Sequence, residues 1–214
     1  MDASNTCSLT FDDGPDPLWT PRVLDCLRRE GVRSTFFVMA ERARSHPELI
    51  ARMRREGHEV ELHCVRHVRH SELEESALRT DTTQGLRTLL ALGASVRRWR
   101  PPWGVVTDAT RRVACDHQLE VVRWSVDTED WRGDPAGLMH ARVAGALAAG
   151  SVVLLHDGVG PGARRSGCLQ TARLIPRLVE TLTSRGLRAE ICGAGGGSIG
   201  RRNRDDRALD RPRR

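Results

Sequence analysis

The sequence predicts a single α/β domain of about seven β-α steps, with parallel strands joined by helical crossovers. Three observations predict it. Short apolar, β-branched runs alternate with amphipathic stretches along nearly all of the 214 residues. The steps are roughly 25 to 35 residues long, enough for a strand, a crossover helix and two turns. Carboxylates and imidazoles recur where the apolar runs end, and in a barrel of parallel strands those ends converge on one face.

Taken in order, Cys7 to Phe11 reads as a strand. Pro21 to Glu30 follows as a helix, with Thr20 as N-cap, Pro21 in its first turn and Gly31 as its stop. Ser34 to Val38 is a second strand. Ser45 to Arg55 is a helix capped by Ser45, with Pro47 in its first turn and Gly57 beyond its end. Glu59 to His63 is a third, short strand, and Ser71 to Leu92 a long helix opened by the Ser-x-x-Glu pattern of Ser71 and Glu74. Val96 to Arg100 leads into Pro101-Pro102. Asp108 to Asp116 is helical, Glu120 to Ser125 a strand, and Pro135 to Ala149 a helix. Ser151 to His156 is a buried strand, Leu169 to Arg185 a helix, and Leu187 to Ile191 the last strand.

Composition narrows the classes of function. Hydrophobic content of 39% and charged content of 29% suit a soluble chain with a real core. The net charge of +6 suggests nucleic acid at first sight. Residues 201 to 214, however, hold seven Arg against three Asp, a net +4 of that +6. The remainder is nearly neutral, so a folded basic face is not supported and no nucleic-acid partner is expected. Gly193-Ala194-Gly195-Gly196-Gly197-Ser198 has a linker composition. The expected division is a folded domain over 1–192 and a flexible Gly/Arg-rich tail over 193–214. No apolar run reaches the ~18 residues of a membrane span. Six scattered cysteines without a CxxC, and no visible signal peptide, predict a cytoplasmic protein.

The chemistry starts at Leu9-Thr10-Phe11-Asp12-Asp13-Gly14-Pro15. Taken alone, Asp-Asp-Gly-Pro reads as an Asx turn that ends a strand. Two carboxylates so close repel unless a cation or hydrogen bonds hold them. His63-Cys64-Val65-Arg66-His67 puts two imidazoles four residues apart, which one helical turn would aim at one point, with His70 as a spare. With Asp12 or Asp13 they would form a His-His-carboxylate site for zinc or a similar ion, open to water and substrate. Singly, each motif has a plain reading as a turn, a cap or packing. Five of them at successive strand ends do not.

Thr10-Phe11-Asp12-Asp13-Gly14, His63-x-x-x-His67, Arg100-Pro101-Pro102-Trp103-Gly104, Asp127-Thr128-Glu129-Asp130-Trp131 and Leu154-Leu155-His156-Asp157 match in order and spacing five motifs of a known family. The chain resembles the polysaccharide deacetylases, the NodB-homology domains of carbohydrate esterase family 4, from about Ser8 to Ile191. The resemblance implies a distorted (β/α) barrel of about seven strands and metal-dependent removal of N- or O-acetyl groups. It implies that Asp12 is the general base and that Asp13, His63 and His67 hold a divalent metal, zinc with cobalt or nickel as alternatives. Arg100 would orient the base, and a backbone N–H near Trp103 would face the oxyanion. His156 would be the catalytic acid and Asp130 the carboxylate that tunes it. Trp103 and Trp131 would wall the substrate groove, and Leu154 would line the pocket for the acetyl methyl.

Some positions depart from the family pattern. Glu61 and Leu62 stand for Gly-Asn before the first histidine, and Glu61 is expected to face the groove. Cys64 replaces a hydroxyl residue beside a ligand, and Trp103 replaces the commoner Tyr. With the absent export signal, these departures favour an N-acetylated amino sugar, or a small metabolite containing one, as substrate. The alternatives are cell-wall polysaccharide or chitooligosaccharide and, from another class, a catalytically silent sugar-binding barrel.

Overall fold

The computed structural model describes residues 5–193. The Arg-rich tail beyond residue 193 lies outside them. Eight strands form the sheet: β1 (Thr6–Asp12), β2 (Thr35–Met39), β3 (Glu59–Cys64), β4 (Arg98–Trp99), β5 (Glu120–Val121), β6 (Val126–Asp127), β7 (Val152–His156) and β8 (Arg188–Ala189). Their order is β5-β4-β3-β2-β1-β7-β6, with β8 joined to the start of β1, and every pairing is parallel. The seven-strand path curls into a distorted half-barrel.

Side-chain alternation divides the strands into two faces. Leu9 and Phe11, Phe36 and Val38, Val60 and Leu62, and Val153 and Leu155 join the main core between sheet and helices. The residues between them turn to the barrel interior, where Phe37, Val152, Val122 and Cys192 make a small second cluster. Seven helices cover the outside: α1 (Trp19–Glu30), α2 (Ala40–Ser45), α3 (Pro47–Arg55), α4 (Glu75–Ala91), α5 (Asp108–Asp116), α6 (Ala136–Val143) and α7 (Leu169–Ser184). Helix α1 buries Thr20, Val23, Leu24 and Leu27, a stripe at helical spacing. Helix α4 approaches the sheet at Gly85, where a β-carbon would lie 2.7 Å from a Leu62 methyl, so any larger residue would force Leu62 to move.

Several expected boundaries change. Helix α1 begins before Thr20, whose hydroxyl donates to the buried Asp157 at 2.5 Å instead of capping. The helix expected over 45–55 is α3, which starts at Pro47 with His46 at its N-cap; Ser45 instead ends α2, a helix not expected, and bonds back to the Glu41 carbonyl. Ser71 lies in a 3-10 turn ahead of α4 and caps nothing. The strand expected over 120–125 shrinks to β5 (Glu120–Val121), and β6 (Val126–Asp127) follows beyond it at the opposite end of the sheet order.

His58 illustrates how burial fixes a protonation state. Its Nδ1 accepts the Ser34 backbone N–H at 3.1 Å, which requires a neutral ring, and burial pulls its pKa down to about 4. An unfolded chain takes up this proton near 6.5, so the contribution is complete above that pH and is lost as pH falls toward 4. His58→Asn keeps an acceptor in the same place without titrating. Relative to that variant, the wild type is expected to lose ~3 kcal/mol between pH 7 and pH 4 in denaturant unfolding. A pH-independent difference would contradict this.

Candidate active site

The register of the sheet places the functional side chains at one level. Asp12 pairs with His156 across β1 and β7 and with Phe37 across β1 and β2. Arg100, just after β4, donates its backbone N–H to Leu62 of β3. Asp12 and His63 therefore share the interior face at the C-terminal end of the sheet, as do His156 and Arg100.

Arg100 is fully buried on the barrel axis, with its guanidinium 4.1 Å from the Phe37 ring centroid. Its Nη1 donates to Asp12 Oδ1 at 2.8 Å and to the Thr10 hydroxyl at 2.7 Å. Nε and Nη2 reach the Val122 and Arg123 carbonyls at 3.4 and 3.3 Å. A buried cation with this many partners fixes the Asp12 carboxylate in one orientation.

Asp13 turns the other way. It adopts φ 72°, the left-handed region, and its carbonyl accepts from Arg42 at 2.9 Å. Its Oδ1 lies 3.4 Å from His63 Nε2 and 3.3 Å from His67 Nε2. Among the described residues, the ligand atoms of Asp13, His63 and His67 lie within 4.8 Å of one another. Asp13 Oδ1 is buried with no hydrogen-bond partner, which suits an atom aimed at a cation. Nδ1 of His63 meets the Arg100 carbonyl at 2.6 Å, an outer contact that fixes the tautomer and leaves Nε2 as a ligand. These donors fit a divalent metal. Burial opposes ionisation of Asp13, but the two imidazoles hold its carboxyl well below the usual range.

The convergence of the two histidines does not use a helix. His63 is in β3 and His67 lies in the bend after it, which Asp81 of α4 shapes by accepting the Val65 and Arg66 backbone N–H groups at 3.0 and 3.3 Å. His70 points elsewhere and meets the Thr110 hydroxyl at 2.9 Å. Cys64 is buried, with burial pushing its thiol well above the ordinary range. Glu61 does not face the groove. It is buried deep in the barrel, where its Oε2 accepts the Arg97 and Arg98 backbone N–H groups, both at 2.8 Å.

On β7, His156 Nδ1 meets Asp130 Oδ1 at 2.6 Å. Burial works against the charged ring, yet the Asp130 carboxylate lifts its pKa to about 9. Leu154 lies two residues before it on the same face and is 4% exposed. Trp103 is 38% exposed with φ 54°, its ring 4.1 Å from the His67 ring and 4.3 Å from the Arg69 guanidinium. Trp131 follows Asp130 in a 3-10 turn and lies 5.8 Å from the Arg164 guanidinium.

Sequence reasoning missed Arg42, Arg165, Thr171 and the glycines of the loop after His156. Arg42 ties Asp13 to that loop, donating to the Val159 carbonyl at 2.9 Å. A β-carbon at Gly158 would lie 2.6 Å from the Asp13 carbonyl oxygen, and one at Gly160 would collide with the Asp13 carboxylate. The cluster Gly158, Gly160 and Gly162 was the available signal.

The polysaccharide deacetylase family model matches residues 2–122. A chitooligosaccharide deacetylase of Bradyrhizobium sp. (strain ANU 289) is 38% identical over 195 residues, covering 86% of this chain and 89% of that protein. A peptidoglycan-N-acetylglucosamine deacetylase of Bacillus cereus is 34% identical over 173 residues, 80% of this chain and 62% of that protein. The structure of a family 4 carbohydrate esterase from Streptomyces lividans in complex with acetate superposes with a TM-score of 0.78 at 28% identity, over 86% of this chain and 91% of that one. With the fold, the aspartate pair and the Asp-His-His group in place, these likenesses settle the family: the chain belongs to the polysaccharide deacetylases of carbohydrate esterase family 4, N-deacetylases that act on amino sugars.

Proposed function

We propose that this protein hydrolyses the N-acetyl amide of N-acetylglucosamine units in a soluble oligosaccharide, with zinc held by Asp13, His63 and His67. The observation that carries the reading is the convergence, at one end of the barrel, of a carboxylate pinned by Arg100 and an imidazole held by Asp130 around the Asp-His-His group. A zinc ion bound there supplies Lewis-acid polarisation of the acetyl carbonyl and a water acidified toward neutrality.

Asp12, oriented through Oδ1 by Arg100, takes the proton of the attacking water. His156 faces the opposite need. An amine leaves slowly unless protonated, and the Asp130 carboxylate raises the pKa of His156 and so favours its protonated form. Trp103 and Trp131 offer partly exposed indole surfaces, one beside His67 and one beside Asp130, suited to stacking on sugar rings.

The oligosaccharide reading is preferred to that of a small metabolite because the departures that favoured the latter lie away from the groove. Glu61 is buried beneath the site, and Leu62 packs outward against α4, so neither departure alters the groove. The Bradyrhizobium relative, similar over nearly its full length, adds the oligosaccharide by name. A silent sugar-binding barrel would have no use for a pinned base and a carboxylate-held imidazole in one site.

The test is acetate release from chitopentaose, peptidoglycan fragments and free N-acetylglucosamine, with added zinc or cobalt and after chelation. Chitopentaose is expected to react at least about 10-fold faster than the monosaccharide, with activity lost on chelation and restored by zinc. Release from the free sugar alone would overturn the oligosaccharide reading. Release unaffected by chelation would overturn the metal.

A further inference from the structure

We propose that Arg165 and Thr171 are positioning residues for the catalytic acid: they grip one oxygen of Asp130 so that the other is presented to His156. The proposal rests on the reading of His156 as that acid. Neither residue belongs to the five motifs; Arg165 lies in the loop after β7 and Thr171 in the first turn of α7.

Asp130 is 1% exposed, so each of its acceptor sites must be met from within the protein. Its Oδ2 receives three donors: the Thr171 hydroxyl at 2.6 Å, Arg165 Nη1 at 2.9 Å and the His156 backbone N–H at 3.0 Å. Oδ1 is turned to His156 Nδ1 at 2.6 Å. Three donors on one oxygen fix the carboxylate plane, and the imidazole plane follows.

Arg165 does more than meet one acceptor. The same Nη1 reaches the Asp130 carbonyl at 3.2 Å and the Thr171 hydroxyl at 2.5 Å. Nη2 spans to the carbonyls of His156 and Gly158 at 3.3 and 3.2 Å. One planar fork therefore holds the acid's partner, the acid's own backbone and the glycine loop that backs onto Asp13. Nε stays buried without a partner, so the fork is placed for Asp130 and not for full satisfaction of the arginine. A lysine ammonium, a single point of charge, could not span these groups.

The guanidinium also acts on the acid electrostatically. With Arg165 present, Asp130 divides its attraction between two cations. Without it, the carboxylate attends to His156 alone, and the imidazolium gives up its proton less readily. Asp12 and Asp13 at the end of β1 and Asp127 on β6 also act on His156, Asp12 being paired with Arg100 and Asp13 facing His63 and His67. Arg165 is thus the cation set directly against Asp130, the carboxylate that His156 touches.

The experiment compares zinc-loaded wild type with Arg165→Met, Arg165→Lys and Thr171→Val. It reads kcat and KM on chitopentaose, the pH profile, and the midpoint of His156 by imidazole nitrogen NMR. Arg165→Met is expected to lose about 10- to 100-fold in kcat, with KM within about twofold. Its basic limb and its His156 midpoint are expected to move up by about one pH unit. Thr171→Val should lose several-fold in kcat, and Arg165→Lys should recover the midpoint but only part of the rate. Wild-type kcat in Arg165→Met, or lost rate with an unmoved midpoint, would overturn the proposal. If Arg165→Met does not fold, the other two variants decide by rate: wild-type kcat in both Thr171→Val and Arg165→Lys would overturn the proposal. Should the wild type release no acetate, the proposed function fails, while the His156 midpoint still tests the grip.

Discussion

Asp12→Asn is expected to lower kcat by about 10³-fold while the cation still binds, because the amide keeps the shape of the proposed base but cannot accept the water's proton. The substitution has a second effect that follows from burial. Arg100 and Asp12 form an ion pair with side chains 0% and 5% exposed. Removing one charge leaves the guanidinium buried with only neutral partners, at a cost of about 3 to 5 kcal/mol when a buried pair is broken. The retained amide oxygen keeps the hydrogen bond and brings the loss toward the lower end. The melting temperature should therefore fall, and kinetics are best measured well below it. Zinc affinity by calorimetry separates the roles: a kcat within about 10-fold of wild type would remove Asp12 from proton transfer.

His63→Ala gives the opposite pattern, loss of the cation first and of activity with it. One of three donors disappears, and so does the ring that joins the Arg100 carbonyl to Asp13. Zinc affinity is expected to fall by more than about 100-fold, beyond the 10- to 100-fold typical of losing an outer-shell partner alone. Turnover should be undetectable at zinc concentrations that saturate the wild type. Chelation of the wild type should reproduce the inactive state reversibly. Full activity of His63→Ala after exhaustive chelation would exclude the Asp13-His63-His67 assignment.

Most of the site was legible in the sequence because its groups are short, polar interruptions at the ends of apolar strands. Asp12, Asp13, His63, Arg100 and His156 stand out against the runs that precede them. The reading failed where tertiary pairing outweighs local pattern. The run over 120–125 looks like one strand, but within it only Glu120–Val121 finds ladder partners, and pairing resumes beyond it at Val126–Asp127 on a different neighbour. His63 and His67 have helical spacing, yet the bend is imposed by Asp81, which is 14 residues beyond His67 in the chain. Glu61 looked like a groove residue because strand parity puts it on the face of His63; parity gives the face but not the depth along the barrel. Arg165 and Thr171 were hidden among ordinary loop and cap residues, since nothing local signals a contact with Asp130.

The sheet order has a consequence for how this enzyme would come apart. β5 and β6 are consecutive in sequence but occupy opposite margins of the sheet, so the chain from Val122 to Ser125 stitches the margins together where no ladder does. The carbonyls of Val122 and Arg123 in that stitch are among the groups that hold Arg100, and Arg100 holds Asp12, the proposed base. A local opening of the seam would loosen Arg100, and with it the orientation of Asp12, while most strands and helices stayed intact. Catalysis would then be the earliest casualty of unfolding, and turnover a gauge of whether the barrel is shut.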